Sequence, residues 1–254
     1  MITLSLPVDE LFYSIQGEGL YSGSPSLFLR LGGCNLRCPG FGVQYTINDQ
    51  TYTSCDSFHA VDKKLFSHTW KSYENSEHLL KKIQSTIPHE NSCDIVITGG
   101  EPLLHTTNPL LLEIIEHLIN KGFRISFETN ATQMIDFERY PIYKKCIFAL
   151  AVKLSNSGES QKKRINHPAL LAFSQYATSF FKFVLDSGSI KEAQDEIEAI
   201  TSPYPLIPIY CMPLGQTHEV MQKHDHAVFD FCAKHNYFYS DRIHIRIFGE
   251  KGGV

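Results

Sequence analysis

No stretch of the chain reaches the roughly 18 consecutive apolar residues that a membrane-spanning helix needs, so no membrane span is expected. A basic excess is missing as well. Lys and Arg number 23 against 27 Asp and Glu, a net charge of −4, which argues against nucleic acid as the main ligand. The first residues carry no charged segment leading into an apolar core, so no secretory leader is expected and the setting is read as cytoplasmic. Internal repeats and low-complexity linkers are absent, and residues 1–254 are read as one domain. The seven cysteines are an odd count in a chain too long for a disulfide mini-scaffold. Free or metal-bound thiols are therefore the expectation.

What the chain does have is 43% hydrophobic and 12% aromatic residues, enough to build a buried core and to exclude general disorder. Residues 27–31 are a short apolar run ending at Gly32-Gly33, a pattern that predicts a buried strand entering a loop. Residues 94–97, 124–127, 147–152, 181–185 and 208–212 predict further strands. Helical spacing of apolar residues marks 76–84, with Ser76 as its cap, then 110–119 ending near Gly122, 190–200 and 227–234. Strands alternating with helices predict an α/β fold of parallel units around a sheet or barrel. In such barrels the ligands gather at the carboxyl ends of the strands. Thr98, Glu128, Lys153 and Met212 fall there. Two stretches interrupt the alternation. Residues 39–54, rich in Gly, Thr and Tyr, are expected to be an inserted loop or hairpin, and polar residues 155–167 a surface excursion.

Cys34 and Cys38 lie three residues apart on the loop after the first strand, in Gly33-Cys34-Asn35-Leu36-Arg37-Cys38-Pro39. Two thiolates at this spacing can grip one metal centre. A third is needed for an iron–sulfur cluster that leaves one iron open. Cys55 is the next cysteine in the chain, beyond residues 39–54, and loop length costs little entropy, roughly 0.6 kcal/mol per doubling. Buried free thiols remain an alternative. A zinc site is another, although a paired second C-x2-C knuckle is missing. Cys93, Cys146, Cys211 and Cys232 lie on strand- or helix-like segments and are read as core. Arg30 stands inside an apolar run, where an unpaired cation would be costly, so it requires a carboxylate partner. Glu128 is read as a polar group of the site. Among the histidines, His59, His105 and His218 show no metal-ligand spacing.

Four segments taken together carry a resemblance. They are Gln16-Gly17-Glu18-Gly19, the run from Phe28 through Cys34 to Cys38, Thr98-Gly99-Gly100-Glu101-Pro102, and Glu128-Thr129-Asn130. In this order they are similar to the 7-carboxy-7-deazaguanine synthase family of radical S-adenosylmethionine enzymes, over most of the chain. Arg30, thirteen residues after Gly17, belongs to the pattern specific to that family. The resemblance implies a partial, modified TIM-type barrel with an insertion in the cluster loop. It also implies a carbon–nitrogen lyase of queuosine and deazapurine biosynthesis. Members convert 6-carboxy-5,6,7,8-tetrahydropterin into 7-carboxy-7-deazaguanine, with loss of ammonia and contraction of a ring.

The family's C-x3-C-x2-C motif is followed by Asp-Thr, whereas position 41 here is Phe. Cys55-Asp56-Ser57 looks like the displaced end of that motif. The resemblance thus implies a [4Fe–4S] cluster on Cys34, Cys38 and Cys55, and Mg²⁺ on the Ser57 hydroxyl, a hard oxygen ligand. It implies substrate contacts from Ile15, Gln16, Gly17, Arg30, Thr98 and the terminal Val254. It implies S-adenosylmethionine contacts from Gly100 and Glu101, from Ala151, Val152 and Lys153, and from Met212, Pro213 and Leu214. The implied partners are a small pterin, an electron donor such as flavodoxin or ferredoxin, and a second copy of the chain. A glycyl-radical activase shares the cysteine and Gly-Gly-Glu-Pro features and stays open as an alternative, as does a zinc-stabilised binding domain without turnover.

Overall fold

The computed structural model describes residues 5–88, 93–249, 251 and 253, and in it the apolar runs become neighbouring strands of one sheet. The chain opens with a hairpin of β1 (Leu6–Ile15) and β2 (Pro25–Leu31). A second hairpin, β3 (Val43–Ile47) and β4 (Gln50–Ser54), is followed by α1 (Phe58–Val61), α2 (Lys63–Phe66), β5 (Lys71–Tyr73) and α3 (Ser76–Thr86). Then come β6 (Asp94–Gly99), α4 (Pro109–Asn120), β7 (Ile125–Thr129), β8 (Ile147–Leu150), α5 (Gln161–Arg164), α6 (His167–Tyr176) and β9 (Thr178–Leu185). The series ends with α7 (Ile190–Thr201), β10 (Ile209–Pro213), α8 (His218–His235), β11 (Phe238–Tyr239) and α9 (Ile243–Phe248). The sheet order is β11-β10-β9-β8-β7-β6-β2-β1-β5. β2 and β6 to β11 run parallel, while β1 is antiparallel to both neighbours. The edges β5 and β11 do not pair, so the barrel is partial. No helix among the described residues is long and apolar enough to cross a membrane.

The period of two along each strand sorts the side chains. Leu27, Leu29 and Leu31 of β2, Ile95 and Ile97 of β6, Phe127 of β7, and Phe181, Phe183 and Leu185 of β9 join one buried core. Helices cover this face: α4 contributes Leu111, Ile114, Ile115 and Leu118, all buried and each worth about 2 kcal/mol. The intervening residues Arg30, Thr98, Glu128 and Lys182 point the other way, into a cavity. The strands therefore hand apolar residues to the helices and functional groups to the interior.

Some local expectations change. Asn75, not Ser76, caps α3, its side chain accepting from the N–H groups of Glu77 and His78 at 2.7 and 3.3 Å. β8 ends at Leu150, leaving Ala151 and Val152 in the following loop. Residues 43–54 form a hairpin outside the main sheet, with Asn48 and Asp49 both at positive φ, as a tight two-residue turn requires. The segment expected to be a surface excursion is only partly that, since Ser157 and Arg164 are buried. Arg164 forms an ion pair with Glu196 and donates to the Lys153 carbonyl.

Candidate active site and cluster loop

The β3–β4 hairpin decides where Cys55 lies. Val43 pairs with Ser54 at its base, so the chain leaves and returns side by side and the sixteen residues between Cys38 and Cys55 close on themselves. Ser54, fully buried, donates its hydroxyl to the Arg37 carbonyl at 2.6 Å, and Tyr45 donates to the Cys55 carbonyl at 3.0 Å. Tyr45 and Tyr52 pack on Phe58 behind the hairpin. Cys34, Cys38 and Cys55 consequently line one cavity of about 460 Å³, and no other cysteine among the described residues lines it. Burial pushes the Cys34 thiol up to about 12 and the Cys38 thiol up to about 11, and raises Cys55 also. Cys93, Cys146, Cys211 and Cys232 are buried among core residues, as expected.

Three soft sulfur donors on one cavity wall, with no fourth beside them, fit a [4Fe–4S] cluster that keeps one iron open better than a closed zinc site. The Gly99-Gly100 backbone packs directly against the loop that carries Cys34. A Cβ on Gly100 would sit 2.5 Å from the Gly33 carbonyl oxygen and 2.7 Å from Cys34 Cβ, so only glycine lets these loops meet. Hard oxygens stand next to the thiols: Ser57 donates its hydroxyl to Asp56 Oδ1 at 3.2 Å, and both residues line the cavity. These are suitable donors for Mg²⁺.

The remaining wall is a buried ion network. Lys182 lies between two carboxylates, its Nζ 2.5 Å from Glu18 Oε2 and 3.0 Å from Glu128 Oε1. Glu128 also accepts from Thr98 Oγ1 at 3.2 Å and Gln16 Nε2 at 3.3 Å. Arg242 spans Glu18 at 2.7 Å and Asp56 at 2.8 Å and donates to the Gly215 carbonyl, binding three loops together. Burial alone would raise the carboxyls of Glu18 and Asp56. The flanking cations prevail, holding Glu18 well below the usual range through Lys182 and Arg242, and lowering Asp56 through Arg242. Burial would lower the Lys182 ammonium, but Glu128 and Glu18 raise it. Burial lowers His244.

Most expected site residues meet here. Ile15, Gln16, Gly17, Arg30, Thr98, Gly100, Glu128, Ala151, Lys153, Leu214, Ser57 and the three cysteines all line the cavity. Glu101, Val152, Met212 and Pro213 do not. Glu101 is fully buried behind the wall, its carboxylate occupied by the N–H groups of Leu103 and Asn130 and by Thr129 Oγ1. Val152 and Met212 are buried too. Val254 lies outside the described residues. The carboxylate partner demanded for Arg30 is Glu10, which accepts from Nε at 2.8 Å. His59 faces Asp9 at 2.6 Å, and both stand beside Glu10.

Lys182, Arg242 and His244 were not anticipated. Lys182 carries the same signal that singled out Arg30, a cation inside an apolar strand, in Phe180-Phe181-Lys182-Phe183-Val184-Leu185. Arg242 and His244 lie in a helix-edge segment whose sequence gives no such contrast.

Comparison with known proteins agrees with this geometry. A family model described as a 4Fe-4S single cluster domain matches residues 15–170. A 7-carboxy-7-deazaguanine synthase from Halobacterium salinarum is 29% identical, over 97% of this chain and 91% of its own. One from Rhodospirillum rubrum is 31% identical, over 82% of this chain and 75% of its own. The crystal structure of QueE from Escherichia coli superposes with a TM-score of 0.65 at 22% identity, covering 94% of both chains, and shares the fold.

Proposed function

The chain belongs to the 7-carboxy-7-deazaguanine synthase family, and from that premise we propose that it converts 6-carboxy-5,6,7,8-tetrahydropterin into 7-carboxy-7-deazaguanine with loss of ammonia. It is thus a radical S-adenosylmethionine lyase of queuosine and deazapurine biosynthesis. The observation that carries this reading is the meeting of two rows on one cavity. Cys34, Cys38 and Cys55 line it from the cluster loop, and Arg30, Thr98 and Glu128 line it from the inner faces of adjacent strands. When bound, the cluster and S-adenosylmethionine supply the radical that starts the rearrangement.

The chain's own residues hold and orient. Cys34, Cys38 and Cys55 hold the cluster, and the Ser57 hydroxyl holds Mg²⁺. The Gly99-Gly100 backbone, Ala151, Lys153 and Leu214 line the S-adenosylmethionine end. Arg30 spends Nε on Glu10 and keeps its terminal nitrogens for the substrate carboxylate, a pairing its planar fork suits. Glu128 accepts N–H groups of the pterin ring, held in place by Thr98, Gln16 and Lys182. Lys182 and Arg242 keep Glu18 and Asp56 charged, so the cavity presents fixed dipoles rather than mobile water. The enzyme takes electrons from a donor such as flavodoxin or ferredoxin, and works as a cytoplasmic homodimer.

The test is an anaerobic incubation of reconstituted protein with reductant, S-adenosylmethionine, Mg²⁺ and the tetrahydropterin, read by mass spectrometry. Formation of 7-carboxy-7-deazaguanine is expected. A protein that carries its cluster and cleaves S-adenosylmethionine yet forms no deazaguanine does not have this activity.

A further inference from the structure

The polar segment after β8 reaches back to the cluster loop through one side chain. Glu159 is half-buried, its side chain 7% exposed, and its Oε2 faces the exposed Lys163 ammonium at 3.7 Å. Its Oε1 accepts from the backbone N–H of Arg37 at 2.6 Å and of Cys38 at 3.1 Å. Cys38 needs such support. It sits at φ 49° and ψ 54°, a left-handed conformation that a residue with a Cβ adopts at a cost. Glu159 is itself fixed from behind, since its N–H donates to Ser157 Oγ at 3.3 Å and its carbonyl accepts from Arg164 Nε at 3.2 Å. Next to it the two backbones touch. A Cβ on Gly40 would lie 2.1 Å from the Asn156 carbonyl oxygen and 2.6 Å from the Ser157 carbonyl carbon, so the cluster loop is seated on residues 156–159.

We propose that Glu159 is a positioning residue for the cluster: its carboxylate holds Cys38 in its ligating conformation and sets the cluster's reduction potential. This rests on the reading of Cys34, Cys38 and Cys55 as cluster ligands. Two effects follow from one group. As an acceptor of two N–H groups, the carboxylate fixes the strained turn that aims Cys38 into the cavity. As a negative charge beside a ligating thiolate, it opposes the gain of an electron and keeps the potential low.

The two effects separate with two substitutions in the full-length, anaerobically reconstituted protein. Glu159→Gln keeps an acceptor oxygen and removes the charge, whereas Glu159→Ala removes both. The readouts are iron and sulfide per chain, the rate of cluster loss to an iron chelator, and the midpoint potential from a redox titration followed by electron paramagnetic resonance. Glu159→Gln is expected to retain its cluster and shift the midpoint to a more positive potential. Glu159→Ala is expected to show the same shift and to lose its cluster at least about tenfold faster, the effect of one charge-assisted hydrogen bond. A Glu159→Gln midpoint equal to the parent's, or a Glu159→Ala loss rate equal to the parent's, overturns the proposal. A parent that assembles no cluster overturns the ligand reading beneath it as well.

Discussion

Replacing Lys182 by Met tests the ion network at its least exchangeable point. Met matches the stem of Lys and removes only the ammonium, which lies 3.0 Å from Glu128 and 2.5 Å from Glu18. At an effective dielectric constant near 20, one unit pair at 3 Å attracts by about 5 kcal/mol. Burial of the ammonium offsets part of that attraction. Glu18 keeps a partner, because its other oxygen holds Arg242 at 2.7 Å. Glu128 is left with two neutral donors, Thr98 and Gln16. Stripping one partner from a buried pair costs about 3–5 kcal/mol, and for a chain of this size each kcal/mol lowers the melting temperature by about 2–4 °C.

The expected outcome for Lys182→Met at pH 7 is therefore a fall of roughly 6–20 °C in the metal-free protein, measured under reducing conditions by circular dichroism. Adding Glu128→Gln in the same background neutralises the orphaned carboxylate and is expected to restore part of the loss. A loss under about 1 kcal/mol, or a double variant no more stable than the single, would refute the reasoning.

Two further predictions concern the loops. Burial lifts Glu101 from its ordinary 4.5 to about 7, against the hydrogen bonds from Thr129, Asn130 and Leu103. The folded state then binds more protons than the unfolded, so stability is greatest below pH 4.5 as far as this group is concerned. It declines by up to about 3 kcal/mol as pH rises to about 7 and is level above. Urea midpoints measured across that range should fall in the parent and fall less in Glu101→Gln; parallel curves would contradict the assignment. Gly40→Ala drives a methyl to within 2.1 Å of the Asn156 carbonyl, a backbone atom that cannot swing aside. It is expected to cost about 1–3 kcal/mol, seen as a lower melting temperature, and an unchanged temperature would show that the two loops are not in contact.

The strands carried their own signature because parallel strands covered by helices are near-continuous apolar runs, and β2, β6, β7, β8, β9 and β10 were all legible that way. β1 was not. Asp9-Glu10 breaks its pattern, and a register irregularity between Val8 and Glu10 resets the faces, so no single period describes it. β5 and β11 are three and two residues long and exist through pairing alone. In the site, residues at strand ends were placed by position, and those in glycine loops by resemblance. Glu101 went astray because a buried capping carboxylate and a ligand-facing one have the same sequence context. Arg242 and His244 were invisible because their role depends on α9 folding back over the loop after β1, where Ile243 N–H meets the Gly17 carbonyl at 3.1 Å. Asp56 was read as part of Cys55-Asp56-Ser57, but its ion pair with Arg242 was not, since the two lie 186 residues apart.

The account stands on Cys55, which sequence spacing puts far from Cys38 and which the β3–β4 hairpin brings back to the same cavity. Iron and sulfide content after anaerobic reconstitution tests it directly, with Cys55→Ser compared against Cys93→Ser, a core cysteine away from the cavity. The parent and Cys93→Ser are expected to hold about four irons and four sulfides per chain, and Cys55→Ser to lose most of that complement. A Cys55→Ser protein that assembles a full and stable cluster would contradict the account.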